Sequence, residues 1–159
     1  MTVRPARPAD VPEMLRLIVE LAVYEKEPDA VATTPDMLEA ALFGDAPAVF
    51  AFVVDGEAPG ELAGLAVWFT TFSTWEGVHG IHLEDLYVSP AYRGHGLGKA
   101  LLLRLAVVCV ERGYKRLEWA VLDWNEPSIG FYRSLGASSM DEWTTFRLDG
   151  SALEAAAAV

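Results

Sequence analysis

Arg93-Gly94-His95-Gly96-Leu97-Gly98-Lys99 sets three glycines within five positions immediately before a long apolar run, an arrangement suited to holding an anion. Glycines let a backbone bend tightly and approach a ligand, and a helix opening near Leu97 would aim its first N–H groups and its positive dipole end at the same place. A pyrophosphate is the simplest ligand of that kind. Spacing separates the phosphate motifs. The dinucleotide fingerprint needs G-x-G-x-x-G, whereas the glycines here run G-x-G-x-G, although Glu118 stands near the distance of that motif's ribose-binding acid. The kinase-type P-loop needs Ser or Thr after its lysine, where this chain has Ala100. R-x-x-G-x-G remains, carried by Arg93, Gly96 and Gly98.

Other reactive residue types give little. The single cysteine, Cys109, falls in the apolar pattern of a helix, which reads as a buried thiol. His79, His82 and His95 form no metal-ligand grouping with cysteine or paired carboxylates, so no metal is expected. Twenty-three acidic against twelve basic residues, a net charge of −11, argue against nucleic acid and suit a cationic partner. No apolar run approaches the ~20 residues that span a bilayer, and the start lacks the apolar core of a signal peptide, so a cytoplasmic protein with no membrane partner is expected.

The elements that would position the turn follow from periodicity. Thr2 to Ala6 reads as an edge strand, and Asp10 with Glu13 as a capping box for a helix whose core face is Met14, Leu17, Ile18, Leu21 and Ala22. That helix ends in Tyr24-Glu25-Lys26-Glu27-Pro28-Asp29, either a solvated terminus or part of a cation-binding rim. Thr34-Pro35 opens a second helix that Gly44 closes. Strands are predicted over Ala48 to Val54 and Leu62 to Phe72, and a third, central strand runs to Val88. Alternation in the third sends Ile81, Leu83, Asp85 and Tyr87 to one face. A mostly buried helix follows, stopped by Gly113, and then another central strand, Arg116 to Leu122, which implies a parallel crossover. Asn125-Glu126-Pro127 caps a helix through Leu135, and short strands at Ala137 to Met140 and Trp143 to Leu148 complete an α/β (α+β) mixed sheet. Residues 1–150 read as one domain, with 151–159 a short helical or disordered tail.

A second motif makes the glycine turn specific. Trp124-Asn125-Glu126-Pro127-Ser128-Ile129, with Phe131-Tyr132 and Leu135-Gly136-Ala137, resembles the second acetyl-CoA segment of the GNAT N-acetyltransferase superfamily. Glu20-Leu21-Ala22, Tyr24-Glu25, Ser73-Thr74-Trp75 and Leu83-Glu84-Asp85 are similar to the diamine (spermidine/spermine) acetyltransferases and the thialysine N-epsilon-acetyltransferases, and Val121-Leu122-Asp123-Trp124-Asn125 leans toward the latter. The resemblance implies a GNAT fold of about seven strands, its central parallel pair splayed, with about four flanking helices. It implies a homodimer, acetyl-CoA as donor and a small cationic amine as acceptor. By position, Arg93, Gly94, His95, Gly96, Leu97, Gly98 and Lys99 would hold the pyrophosphate, Leu86, Tyr87 and Val88 the pantetheine arm, and Asn125 and Ser128 the cofactor's far end. Tyr132 would stand beside the thioester sulfur and Glu84 would face the amine. Lengths depart from the family between Trp75 and Glu84 and between Tyr132 and Trp143, both bordering the acceptor pocket.

Acetyl transfer to an amine needs a neutral nucleophile, a stabilised oxyanion and a proton for the leaving thiol. An alkylamine of pKa ~10.4 costs about 4.6 kcal/mol to deprotonate at pH 7. Glu84 is a candidate base if burial beside Asp85 raises its pKa; otherwise the pair binds the cation or caps a bulge. Tyr132 is protonated at neutral pH and suits hydrogen bonding to the leaving thiolate. Glu25, Glu27, Asp85 and the rings of Trp75, Trp124 and Trp143 are candidates to line the acceptor pocket, with core packing the competing role for each tryptophan. The reactions left open are transfer to a small amine, transfer to a protein or amino-sugar amine, and acyl-CoA binding without turnover.

Overall fold

The computed structural model describes residues 1–158 and divides into two compact units, Met1–Ala120 and one beginning at Val121. The larger holds a mixed sheet of five strands, β1 (Val3–Pro5), β2 (Phe50–Asp55), β3 (Leu62–Ser73), β4 (Val78–Val88) and β5 (Leu117–Glu118), in that spatial order. The first four are antiparallel; β5 runs parallel to β4. Helices α1 (Val11–Tyr24) and α2 (Pro35–Phe43) cover one face, where Val11, Met14, Leu17, Leu38 and Leu42 pack on Ala51, Val53, Leu65, Val67 and Tyr87. Burying side chains as completely as Met14 and Leu17 stabilises the fold by about 1.5–3 kcal/mol each. Helix α3 (Leu97–Glu111) supplies a second apolar surface through Leu101, Leu102, Leu105, Val108 and Cys109. Arg104 and Arg112 lie over the rings of Phe52 and Trp68, so α3 serves the opposite face of the sheet.

The start of α1 departs from the expected capping box. Asp10 occupies the N-cap, but its carboxylate accepts from the Arg7 amide at 2.7 Å and from the Arg4 guanidinium at 2.7 and 2.9 Å. Arg4 also reaches Asp55, so one guanidinium ties β1, β2 and the entry to α1, and holds the Asp10 carboxyl below its ordinary range. Glu13 is drawn to the sheet instead, accepting from the Leu62 amide at 3.1 Å.

A one-residue bulge in β4 overturns the expected alternation. Trp68 pairs with Leu83 but Val67 pairs with Asp85, so Glu84 is an extra residue in the ladder. Directly opposed residues share a face. Ile81 and Leu83 therefore lie with Thr70 and Trp68 on the α3 side, whereas Asp85 and Tyr87 lie with Val67 and Leu65 on the α1 side. Past the bulge the strands approach closely at Gly64, where an added Cβ would stand 2.8 Å from the Tyr87 carbonyl oxygen. Gly64→Ala is expected to cost about 1–3 kcal/mol by forcing β3 and β4 apart, read as a lower Tm.

In the smaller unit, α4 (Glu126–Ser134) follows Asn125 and α5 (Gly150–Ala157) follows Asp149. Among the described residues there are thus five strands and five α-helices rather than about seven and four. The strand expected over Arg116 to Leu122 pairs only at Leu117 and Glu118 and lies at the sheet's edge rather than its centre. Ala137 to Met140 and Trp143 to Leu148 join no ladder, and Phe146 is 92% exposed. The tail is helical through Ala157, and Val159 lies outside the described residues. Among the described residues no helix is long and apolar enough to cross a membrane.

Candidate active site

Pairing between β4 and β5 covers Ile81 and His82 and then stops, leaving Leu83 to Val88 without a β5 partner. The direction of the backbone groups in that stretch follows from two hydrogen bonds. The Ile81 amide donates to Arg116 of the β5 side, and the Ser89 amide donates to Ala63 of β3. Successive residues point their amides to opposite edges, so Val88 and Leu86 face away from β3. The direction has passed from odd to even positions because Glu84 adds one residue. The parallel pairing is therefore short, and the bulge decides which amides of β4 it leaves without a β5 partner.

The glycine turn follows directly. A single helical turn, Pro90–Tyr92, leads into it and is anchored by Tyr92, whose hydroxyl donates to Glu61 at 2.7 Å and accepts from the Glu57 amide at 3.0 Å. Gly94 (φ 81°) and Gly96 (φ 73°) adopt left-handed backbone that other residues rarely take, and an added Cβ would meet nothing within 4 Å at either. Gly96 is the N-cap of α3 and contributes no side-chain cap, so the amides of the first turn are directed at open space. His95 turns its Nδ1 to the Tyr92 carbonyl at 3.2 Å, and Lys99 is exposed. These features suit a pyrophosphate, as the sequence leads one to expect.

On the α1 face of β4 lies an acidic group. Asp85 is partly buried, and burial, then Glu84, then Glu25 push its pKa up to about 6. Glu25 is itself raised by burial at the C-cap of α1. The helix ends there in a left-handed Lys26 (φ 68°), with the Glu27 amide donating to Ala22 and the Lys26 amide to Val23. This turn, ahead of Pro28, stops α1. Glu84 stands at the bulge, exposed, 3.7 Å from His82. The burial expected to tune Glu84 thus acts on Asp85, because the bulge turns Asp85 beneath α1. The structure brings Glu25, Glu84 and Asp85 together, while Glu27 is exposed beyond the turn. Trp75 is 89% exposed before the far end of β4, on the order of 20 Å along the strand from Asp85, so it does not join this group.

In the smaller unit, Asn125 is buried and its side chain caps α4 by accepting from the Ser128 amide at 3.4 Å. Ser128 and Tyr132 are one helical turn apart and share a face of α4. Tyr132 is half-buried with its ring beside Phe131, and Gly136 (φ 88°) closes the segment. Trp124 is half-exposed, whereas Trp143 is 68% exposed in the unpaired stretch. Cys109 is buried with its thiol pKa raised, which suits packing and not a nucleophilic thiolate.

Comparison with known proteins decides the family. The model of the Acetyltransferase (GNAT) family matches residues 13–137. The chain belongs to the GNAT acetyltransferase family. This GNAT chain is 39% identical to a thialysine N-epsilon-acetyltransferase of Bos taurus over 95% of its own length and 94% of that protein. It is 37% identical to a human spermidine/spermine N(1)-acetyltransferase-like protein over 92% of its length but only 22% of that longer protein. An integron cassette protein of V. cholerae shares the fold with a TM-score of 0.82, covering 99% of this chain and 97% of that one at 23% identity. The GNAT chain is an enzyme that acts as an N-acetyltransferase.

Sequence reasoning names Asp85 for the acceptor pocket but expects burial to tune Glu84 rather than Asp85. It missed the side chain of Arg93, which faces Tyr24 and Tyr87 with its guanidinium carbon 5.3 Å from each ring centroid. The unequal alternation about Glu84 was the available signal for the first; the motif itself gave none for the second.

Proposed function

We propose that the enzyme transfers the acetyl group of acetyl-CoA to the primary amine of a small cationic acceptor, of the thialysine or polyamine kind, by direct attack in a ternary complex. The half-buried acidic group of Glu25, Glu84 and Asp85 beside the edge of β4 carries this reading. Identity to thialysine N-epsilon-acetyltransferases over almost the whole chain supports the acceptor class. Residues 1–150 would form the catalytic domain, and the enzyme would act as a homodimer.

The open turn over Gly94 and Gly96 fits a pyrophosphate, so the amides of Arg93 to Lys99 would hold that part of the donor. Leu86 to Val88 would bind its pantetheine arm as an added strand, and Asn125 and Ser128 its far end. When bound, acetyl-CoA supplies the acetyl group as an activated thioester. Glu25 and Asp85 attract the acceptor's ammonium group, and Asp85 takes its proton. A carboxyl near 6 narrows the gap to an alkylamine from about six pKa units to about four. Glu84, exposed at the bulge, passes the proton to solvent. The Leu86 amide, which faces away from β3, would donate to an oxyanion formed at that edge. Tyr132 would hydrogen-bond the departing sulfur through Oη while the second proton lost by the attacking amine reaches it through solvent, and Trp124 and Trp143 would give the acceptor apolar walls.

Gly96→Val forces a β-branched side chain into left-handed backbone at a cost of about 1–2 kcal/mol and fills the space above the turn. Calorimetry is expected to show CoA binding weakened about tenfold or more, with affinity for the amine unchanged. The acceptor is tested by measuring CoA release against thialysine, lysine, ornithine, spermidine, spermine and short diamines. Selective turnover of one of these is expected; acetylation of protein substrates alone would refute the small-amine reading.

A further inference from the structure

Arg93 opens the R-x-x-G-x-G motif, where a cation beside a pyrophosphate turn invites the assumption that it binds phosphate. Its side chain is committed elsewhere. Nε donates to the Val88 carbonyl at 3.0 Å, on the side of β4 that faces away from β3. The guanidinium carbon lies 5.3 Å from the centroid of Tyr24, the last residue of α1, and 5.3 Å from that of Tyr87 on β4. Tyr87 has Glu20 of α1 as a further charged neighbour. A guanidinium lying over two rings, with Nε donating one hydrogen bond, is held in three directions, a set of contacts that an ammonium group does not reproduce.

We infer that Arg93 is a positioning residue, a strut between Tyr24 and Tyr87 that fixes the end of α1 against the edge of β4 rather than a ligand of the pyrophosphate. The sequence makes the consequence specific. Tyr24 precedes Glu25 and Tyr87 lies two residues after Asp85, so the strut joins the two strands of chain that carry the acidic group. Through Val88 it also fixes the carbonyl at the end of the edge proposed for the pantetheine arm. Arg93 thus sets the acceptor side and the donor side in one arrangement, with its backbone alone belonging to the phosphate turn. This rests on the acetyl-CoA reading above.

The test compares donors with and without the phosphates, using the full-length chain. Arg93→Gln removes the charge, and Arg93→Lys keeps it but loses the planar group. If the side chain is a strut, both variants raise the thialysine KM or lower kcat about tenfold, equally with acetyl-CoA and with S-acetylpantetheine. The ratio of CoA to pantetheine dissociation constants, measured by calorimetry, then stays at the wild-type value. In the ligand-free protein, Arg93→Gln and Tyr24→Leu lower Tm by less together than the sum of their separate effects. A loss confined to CoA and rescued by Arg93→Lys would overturn the inference and make Arg93 a phosphate ligand. Additive Tm effects would overturn it too. If the wild-type chain binds neither CoA nor pantetheine, the acetyl-CoA reading itself fails and the strut's role in it falls.

Discussion

Asp85→Asn is expected to make the protein more stable above pH 6 while lowering kcat/KM for the amine about a hundredfold or more. The two effects have one origin. Burial, Glu84 and Glu25 lift Asp85 from 3.8 to about 6, so the folded state holds this proton more tightly than the unfolded chain. Asp85 therefore costs nothing below pH ~4, and the cost grows as pH rises through about 6, above which it is complete. About two pKa units correspond to ~3 kcal/mol, or roughly 6–12 °C in Tm for a chain of this size. Thermal melts of wild type and Asp85→Asn should nearly coincide at pH ~4, separate as pH rises to about 6, and stay a constant distance apart above that. Parallel melts at every pH would show that Asp85 is not the strained carboxylate. In kinetics, the wild-type kcat/KM for amine should fall as pH drops through about 6, and this limb should be missing from the variant's residual activity. Should the limb persist in Asp85→Asn and vanish in Glu84→Gln, the proton acceptor is Glu84.

Tyr132→Phe is expected to lower turnover by about ten- to a thousandfold with CoA affinity nearly intact, the range for losing one positioned proton donor. Removing a hydroxyl from a half-buried ring that packs beside Phe131 leaves α4 and its Asn125 cap in place, so the change should fall on kcat and not on folding. A variant with wild-type kcat would remove Tyr132 from the chemistry. One that loses CoA binding as well would make it a cofactor contact instead.

These residues were legible from sequence to different degrees. Helices α1 to α4 follow from periodicity and from end signals such as Thr34, Asn125 and the two prolines behind them, because those signals are local. Simple alternation groups Asp85 with Ile81 and Leu83, and the bulge separates them. Alternation has a period of two, and a single inserted residue at Glu84 shifts all that follows without changing any residue's own preference. Trp143, Thr144, Thr145 and Phe146 are good strand formers but make no ladder, since strand propensity is realised only against a neighbouring strand. Leu117 to Leu122 shows the same limit, pairing over two residues of a longer apolar stretch. At the glycine turn, the backbone chemistry was legible because glycine takes φ near 73–81° without the strain other residues meet there, whereas the direction taken by Arg93 depends on Tyr24, far away in the chain.

The central claim, direct acetyl transfer to a small amine, is tested most directly by single-turnover labelling. Enzyme in excess over acetyl-labelled CoA is mixed with thialysine and quenched, and the label is located on protein or amine by mass. The predicted result is label on the ε-amine and none on the protein at any time, with no label leaving CoA when the amine is omitted. Label that accumulates on the protein before reaching the amine, or that never reaches it, would contradict the account.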